Sequence, residues 1–380
     1  MPYLLIVLLS ATLCQAAFIG VARIFKANDY HSDYGLVTFR QEKEGANVRV
    51  TGRLENLPPG KHGFHVHTYG DIATKEDCTA SAGHWNPTGH SHGGPYSSNR
   101  HIGDLGNIEV DGNGRADIDF HIDGDKLPLT GPYSIIGRTI VVHENVDDLG
   151  QGSASDSHTT GHAGGRLGCG VIGIASDFTI ARGSVPTERV EVPRKVIAKL
   201  TPSSGLSVTG YVKFSQQTRT SSIYVSGEIN NVPIHPSKHG FHIHEKGDLQ
   251  TMDCQSTGNH FNPRGQDHGG RDSEIRHSGD LGNVVVGGDG RIEVQFTMDR
   301  DKLTLIGLES IVGRAIVLHS QEDDLGQGGQ ADSKISGNAG ARLACGVIGI
   351  ANDFSPASGS RITISAVLLV IAFLLRQVAV

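Results

Sequence analysis

Short runs of alternating apolar and polar residues, each stopped by Gly, Asn or Asp, recur along this chain. Alternation with a period of two marks strands with one face buried. In the first half, residues 18–27, 35–40, 47–54 and 63–67 read this way. Residues 107–110 and 115–121 flank Asp111-Gly112-Asn113-Gly114, a hairpin signal. Residues 139–143 and 170–175 are the last apolar strands of that half. Eight short strands with two long polar loops predict an antiparallel β-sandwich or barrel.

The same order returns from about residue 196, with 284–286 and 291–297 flanking Gly287-Gly288-Asp289-Gly290. His65 and His67 match His242 and His244 at a separation of 177, and from the cysteines onward the separation is 176. A unit of about 155 residues is far longer than a solenoid repeat and long enough for its own core. The chain is therefore a tandem duplication, with domains over 17–176 and 194–354 and a Pro-containing, semi-extended linker over 177–193.

Composition agrees with strands and turns: Gly is abundant at 51 residues among 380, and aromatics make up only 6%. A net charge of −7 without a basic cluster gives nucleic acid no footing. Residues 4–9 are apolar and lead into Cys14-Gln15-Ala16-Ala17, which predicts a secretory signal over 1–16, although a basic start is missing. Its removal leaves Cys78, Cys169, Cys254 and Cys345, an even number that suggests disulfides in an oxidising compartment. Residues 355–380 hold the small residues Ala357-Ser358-Gly359-Ser360 and a second apolar run over 362–375. They predict either a glycolipid-anchor signal or a retained membrane helix. Either places the folded part at the outer face of a membrane.

The chemistry centres on Lys61-His62-Gly63-Phe64-His65-Val66-His67, repeated as Lys238-His239-Gly240-Phe241-His242-Ile243-His244. On a strand, His65 and His67 share a face and form half a metal site, since imidazole suits copper and zinc. The following long loop carries His84, His92, His101 and Asp104, and its counterpart carries His260, His268, His277 and Asp280. Three imidazoles and a carboxylate form a closed zinc set able to order such a loop. His143 and His319 end apolar strands, where each can complete a site with its H-x-H pair. Two four-ligand sites need eight ligands, but each copy offers seven of these residues, so one imidazole must be shared.

These motifs, with His-Trp-Asn-Pro, His-Gly-Gly-Pro, Arg-His-Ile-Gly-Asp-Leu-Gly-Asn and Gly-Gly-Arg-Leu-Gly-Cys-Gly-Val-Ile-Gly, resemble those of copper/zinc superoxide dismutases. The second copy keeps His-Phe-Asn-Pro, Arg-His-Ser-Gly-Asp-Leu-Gly-Asn and Ala-Arg-Leu-Ala-Cys-Gly-Val-Ile-Gly. The resemblance implies two all-β, eight-stranded Greek-key barrels, each dismutating superoxide with one copper and one structural zinc. It implies copper on His65, His67, His84 and His143, and zinc on His84, His92, His101 and Asp104. For the second copy it implies copper on His242, His244, His260 and His319, and zinc on His260, His268, His277 and Asp280. His84 and His260 would be the shared rings. Asp147 and Asp323 would link a copper ligand to a zinc ligand, and Arg166 and Arg342 would attract superoxide. Disulfides Cys78–Cys169 and Cys254–Cys345 follow from the same resemblance.

Several positions depart from the family's pattern. Thr68 stands where Glu245 keeps the usual acid, and Ser320 where the first copy has Glu144. Asn145, Thr159, Gln321 and Ile335 occupy places where steering lysines are common, although Lys334 is adjacent. The resemblance leaves open whether the copies pair within one chain or between chains.

Overall fold

The computed structural model describes residues 17–175, 195–218, 220–307 and 309–352. The predicted signal, the linker and the C-terminal segment lie outside the described residues. The first copy contains β1 (Phe18–Lys26), β2 (Asp29–Gln41), β3 (Val48–Leu54), β4 (Gly60–His67), β5 (Asp104–Val110), β6 (Ala116–Ile122), β7 (Thr139–His143), a single helical turn α1 (Ser157–Thr160), β8 (Arg166–Val171) and β9 (Gly173–Ile174). The second contains β10 (Lys195–Pro202), β11 (Thr209–Gln216), β12 (Ile223–Asn230), β13 (Lys238–His244), β14 (Asp280–Val285), β15 (Ile292–Met298), β16 (Ala315–His319), α2 (Ser333–Ser336), β17 (Arg342–Val347) and β18 (Gly349–Ile350).

In the first copy, neighbouring strands run β5-β4-β7-β8-β1-β2-β3-β6, with β9 beside β1, and the second copy repeats this order. Every strand pair is antiparallel. The non-sequential neighbours β3–β6 and β4–β7 are Greek-key connections. Each sheet curls into a nearly closed barrel whose seam lies between its two end strands.

The hairpin reading of residues 107–121 needs correction. The turn forms, with Asp111 N–H donating to Arg115 O at 2.9 Å. Its arms do not build a ladder together: β5 pairs with β4, and β6 pairs with β3. The apolar faces of the two arms are claimed by neighbours on opposite sides of the seam. A turn motif fixes the reversal of the chain, while burial chooses the pairing partner.

Alternation places the core as the sequence implied. Phe64 and Val66 enter the barrel interior with Phe39, Leu54, Ile122 and Ile140, all fully buried. Phe241 and Ile243 do the same beside Phe214 and Ile292. Both faces of β4 are covered, because His65 and His67 on the other face lie under the long loop.

A third apolar cluster spans the two barrels, joining Phe25, Tyr30, Ile72, Val141 and Val171 to Leu249, Ala315, Val317 and Val347. Backbone bonds between the barrels come in pseudo-symmetric pairs. Gly70 N–H donates to Ile350 O at 2.7 Å and Gly247 N–H to Ile174 O at 2.8 Å. Ile350 N–H donates to Gly137 O at 2.8 Å and Ile174 N–H to Gly313 O at 2.7 Å. The approach is so close that a Cβ on Gly173 would sit 2.1 Å from Gly247 O, and one on Gly349 2.4 Å from Gly70 O. Arg23 donates to Leu249 O at 2.8 Å, and its counterpart Lys199 pairs with Glu76 at 2.6 Å.

Candidate metal centre

β4 supplies His65 and His67 from its outer face, and the loop after it returns as a bridge that sets His84 opposite His67. His143 ends β7, and Asp104 opens β5. His92 and His101 come from the long loop between β4 and β5. Ligand atoms of His65, His67, His84 and His143 all lie within 4.8 Å of one another, and so do those of His84, His92, His101 and Asp104. The sets His242, His244, His260, His319 and His260, His268, His277, Asp280 meet the same limit. All these residues are buried. One ring per barrel, His84 or His260, belongs to both sets, as the ligand count required.

The outer hydrogen bonds fix which nitrogen of each ring faces inward. His67 Nδ1 lies 2.6 Å from Ala82 O and His143 Nδ1 3.1 Å from Gly165 O. A carbonyl only accepts, so both rings donate from Nδ1 and turn a bare Nε2 inward, where the two atoms lie 3.1 Å apart. His65 reverses this arrangement: its Nε2 donates to Asp147 Oδ2 at 2.9 Å, leaving Nδ1 buried without a hydrogen bond. His84 Nδ1 meets Asp104 Oδ1 at 2.8 Å, while its Nε2 is buried without a partner on the four-imidazole side. His92 Nε2 donates to Asp147 Oδ1 at 2.7 Å. The Asp147 carboxylate thus spans the two sets, and Asp323 repeats this with His242 at 2.9 Å and His268 at 2.8 Å.

Burial holds His65 and His67 well below the ordinary histidine value and lowers His143 to about 3. His244 and His319 are likewise held far down by burial, and His260 falls to about 3. Burial alone would also lower His92 and His268, but hydrogen bonds to Asp104 and Asp147, or to Asp280 and Asp323, raise both to about 9. Burial opposes ionisation of Asp104, yet hydrogen bonds from His101, His84 and His92 hold it below the usual carboxylate range. Asp280 is lowered in the same way, with its bonds from His260, His268 and His277.

These features fit metal ions. Neutral imidazoles with bare nitrogens converge on one point, and an ionised carboxylate with three imidazoles converges on another. Buried polar atoms are ordinarily satisfied, yet His65 Nδ1, His84 Nε2, His242 Nδ1 and His260 Nε2 have no hydrogen-bond partner among the described residues. Four imidazoles suit copper, and three imidazoles with an aspartate suit zinc.

Arg166 opens β8 directly opposite His143. Its guanidinium donates to Cys78 O, Ala82 O and Ser81 Oγ, and its charge depresses His67 and His143. Arg342 is held likewise by Cys254 O, Thr257 Oγ1 and Gly258 O. Disulfides join Cys78 to Cys169 and Cys254 to Cys345, tying the loop that backs each arginine to the barrel. Thr68 and Glu245 serve related ends by different chemistry. Thr68 Oγ1 donates to Gly83 O at 3.1 Å, whereas Glu245 accepts from Asn259 N–H at 3.3 Å. Asn145, Thr159, Gln321, Lys334 and Ile335 are exposed on the rim.

Some supporting residues were not singled out from sequence. Asn107 grips Asp147 twice through backbone N–H and O, as Asn283 grips Asp323. Arg100 and Arg276 donate to the carbonyls of Asp104 and Asp280. Gly161 admits the Asp147–His92 contact, since a Cβ there would lie 1.9 Å from Asp147 Oδ1. Recurrence of Arg-His-x-Gly-Asp-Leu-Gly-Asn in both copies was the available signal for Arg100 and Asn107.

Comparison with known families adds one finding. The family model described as copper/zinc superoxide dismutase matches this chain twice, over residues 33–172 and 208–348.

Proposed function

This chain belongs to the copper/zinc superoxide dismutase family, and from that premise we propose that both of its barrels carry a working site. The observation that supports this most is the intact double set in each copy, with bare imidazole nitrogens aimed at one point, three imidazoles and an ionised carboxylate at the other, and one ring shared. Copper would be held by His65 Nδ1 and by Nε2 of His67, His84 and His143, and in the second barrel by His242, His244, His260 and His319. Zinc would be held by His84, His92, His101 and Asp104, and by His260, His268, His277 and Asp280.

Copper in the four-imidazole site would supply the one-electron oxidation and reduction by which two superoxide ions and two protons become dioxygen and hydrogen peroxide. The residues supply the rest. Arg166 and Arg342 present a fixed positive charge beside that site and orient the small anion there. His84 and His260 stand between the two sets, and Nε2 of each could hold a proton for the departing peroxide whenever that nitrogen does not hold copper. Asp147 and Asp323 lock the tautomers of the rings on either side of them. Two positive clefts in a protein of net charge −7 favour anion entry, at a rate that falls with salt.

The reading extends to assembly and location. The bonds across Gly70, Gly137, Gly247 and Gly313 support pairing of the two barrels within one chain, which a tandem duplication makes locally concentrated. Two disulfides, the apolar N-terminal run and the small-residue stretch before the second run support a secreted protein held at the outer membrane surface. A glycolipid anchor predicts release from cells by a phosphatidylinositol-specific phospholipase. Retention after that treatment points to a membrane helix instead.

Metal analysis tests the proposed sites. Two coppers and two zincs per chain are expected, and one of each would contradict a second working site.

A further inference from the structure

We propose that Asn352, at the end of the second barrel, is a positioning residue for the first barrel's Arg166. Its Nδ2 donates to Ala80 O at 2.8 Å, crossing from one barrel to the other. Ala80 lies in the 3₁₀ turn Thr79–Ser81. That turn sits between Cys78 and Ala82, whose carbonyls hold the Arg166 guanidinium, and Ala82 O also receives His67 Nδ1. One five-residue segment therefore backs both the arginine and a metal-facing imidazole, and Asn352 grips its middle.

The first barrel has a particular need for that grip. Ala82 adopts φ 62° with ψ −146°, a backbone conformation that glycine accepts and a side chain strains. In the second barrel the same corner is Gly258 at φ 75°, where glycine carries no such strain. Among the described residues, the strained segment is the one held by a side chain from outside its own barrel. The matching position of the first copy is Ser176, a shorter residue that lies outside the described residues.

This inference rests on the proposed metal sites and on pairing of the barrels, and its test reads the two sites separately. The full chain is loaded with copper and zinc in a His244→Ala background, which reports the first site, and in a His67→Ala background, which reports the second. Azide, a small linear anion, is titrated by its charge-transfer band with copper. Asn352→Ala and Asn352→Asp, the latter keeping size but losing the donor, should each weaken azide binding at the first site by about three- to tenfold, the worth of one ordinary hydrogen bond. Copper content and azide binding at the second site should stay unchanged. Faster hydrogen exchange at the amides of residues 79–82 in the metal-free chain should accompany the loss. Unchanged azide affinity at the first site, or an equal loss at both, overturns the proposal. Should the two parent backgrounds bind azide yet fail to dismutate superoxide, the functional reading falls, while the titration still decides the role of Asn352.

Discussion

At the scale of single residues, the decisive atoms are imidazole nitrogens that have no hydrogen-bond partner although they are buried. Leaving such groups unpaired is costly, so their presence at His65 and His84 makes sense when an ion completes them. His84 faces both sets, whereas His67 faces only one. His84→Ala should therefore remove copper and also weaken zinc in the first barrel, while His67→Ala should remove copper alone. Metal analysis of the two variants checks this, and zinc kept at full strength in His84→Ala would contradict the shared ring. Every residue of both sets was legible in the sequence, because duplication showed the same His and Asp pattern twice. The residues that orient them were less legible. Asn107 and Arg100 act through backbone atoms of Asp147 and Asp104, contacts that only the folded chain brings together.

At the scale of elements, period-two alternation located the strands well because each has one face in a barrel core. It misjudged lengths where the second face is also covered. β4 begins at Gly60 and β5 at Asp104, since pairing with each other extends both beyond their apolar stretches. The turn at Asp111–Gly114 was legible, but the partners of its arms were not, because local sequence carries no record of which strand lies beyond the next. The contact between barrels was equally hidden, as it depends on glycines that bring backbone against backbone. Gly173→Val should force Gly247 O, on the other barrel, away and open that contact. Small-angle scattering should then show a larger radius of gyration, with each barrel keeping its fold by circular dichroism. An unchanged radius would contradict the intrachain pairing.

At the scale of the whole molecule, the buried histidines set how the metal-free chain responds to pH. Histidines of the unfolded chain take up protons below about 6.5, whereas buried His67, His143, His244 and His319 resist protonation. The unfolded state then binds more protons, so the metal-free protein should lose stability as pH falls below about 6.5. His92 and His268 act in the opposite sense. Raised to about 9, they contribute stability that is complete below the unfolded value and lost as pH rises through about 9. Thermal unfolding of the metal-free chain should thus give its highest midpoint between these limits. A midpoint that keeps rising toward pH 4 would contradict the neutral, buried imidazoles. The central claim is two working dismutase sites in one chain, and one measurement bears on it most directly. Superoxide dismutation is measured per chain for the parent, His67→Ala, His244→Ala and the double variant, each with its metal content determined. The account predicts that each single variant keeps part of the activity and that the double variant loses it. Full activity in either single variant, or a fully metallated parent without activity, would contradict it.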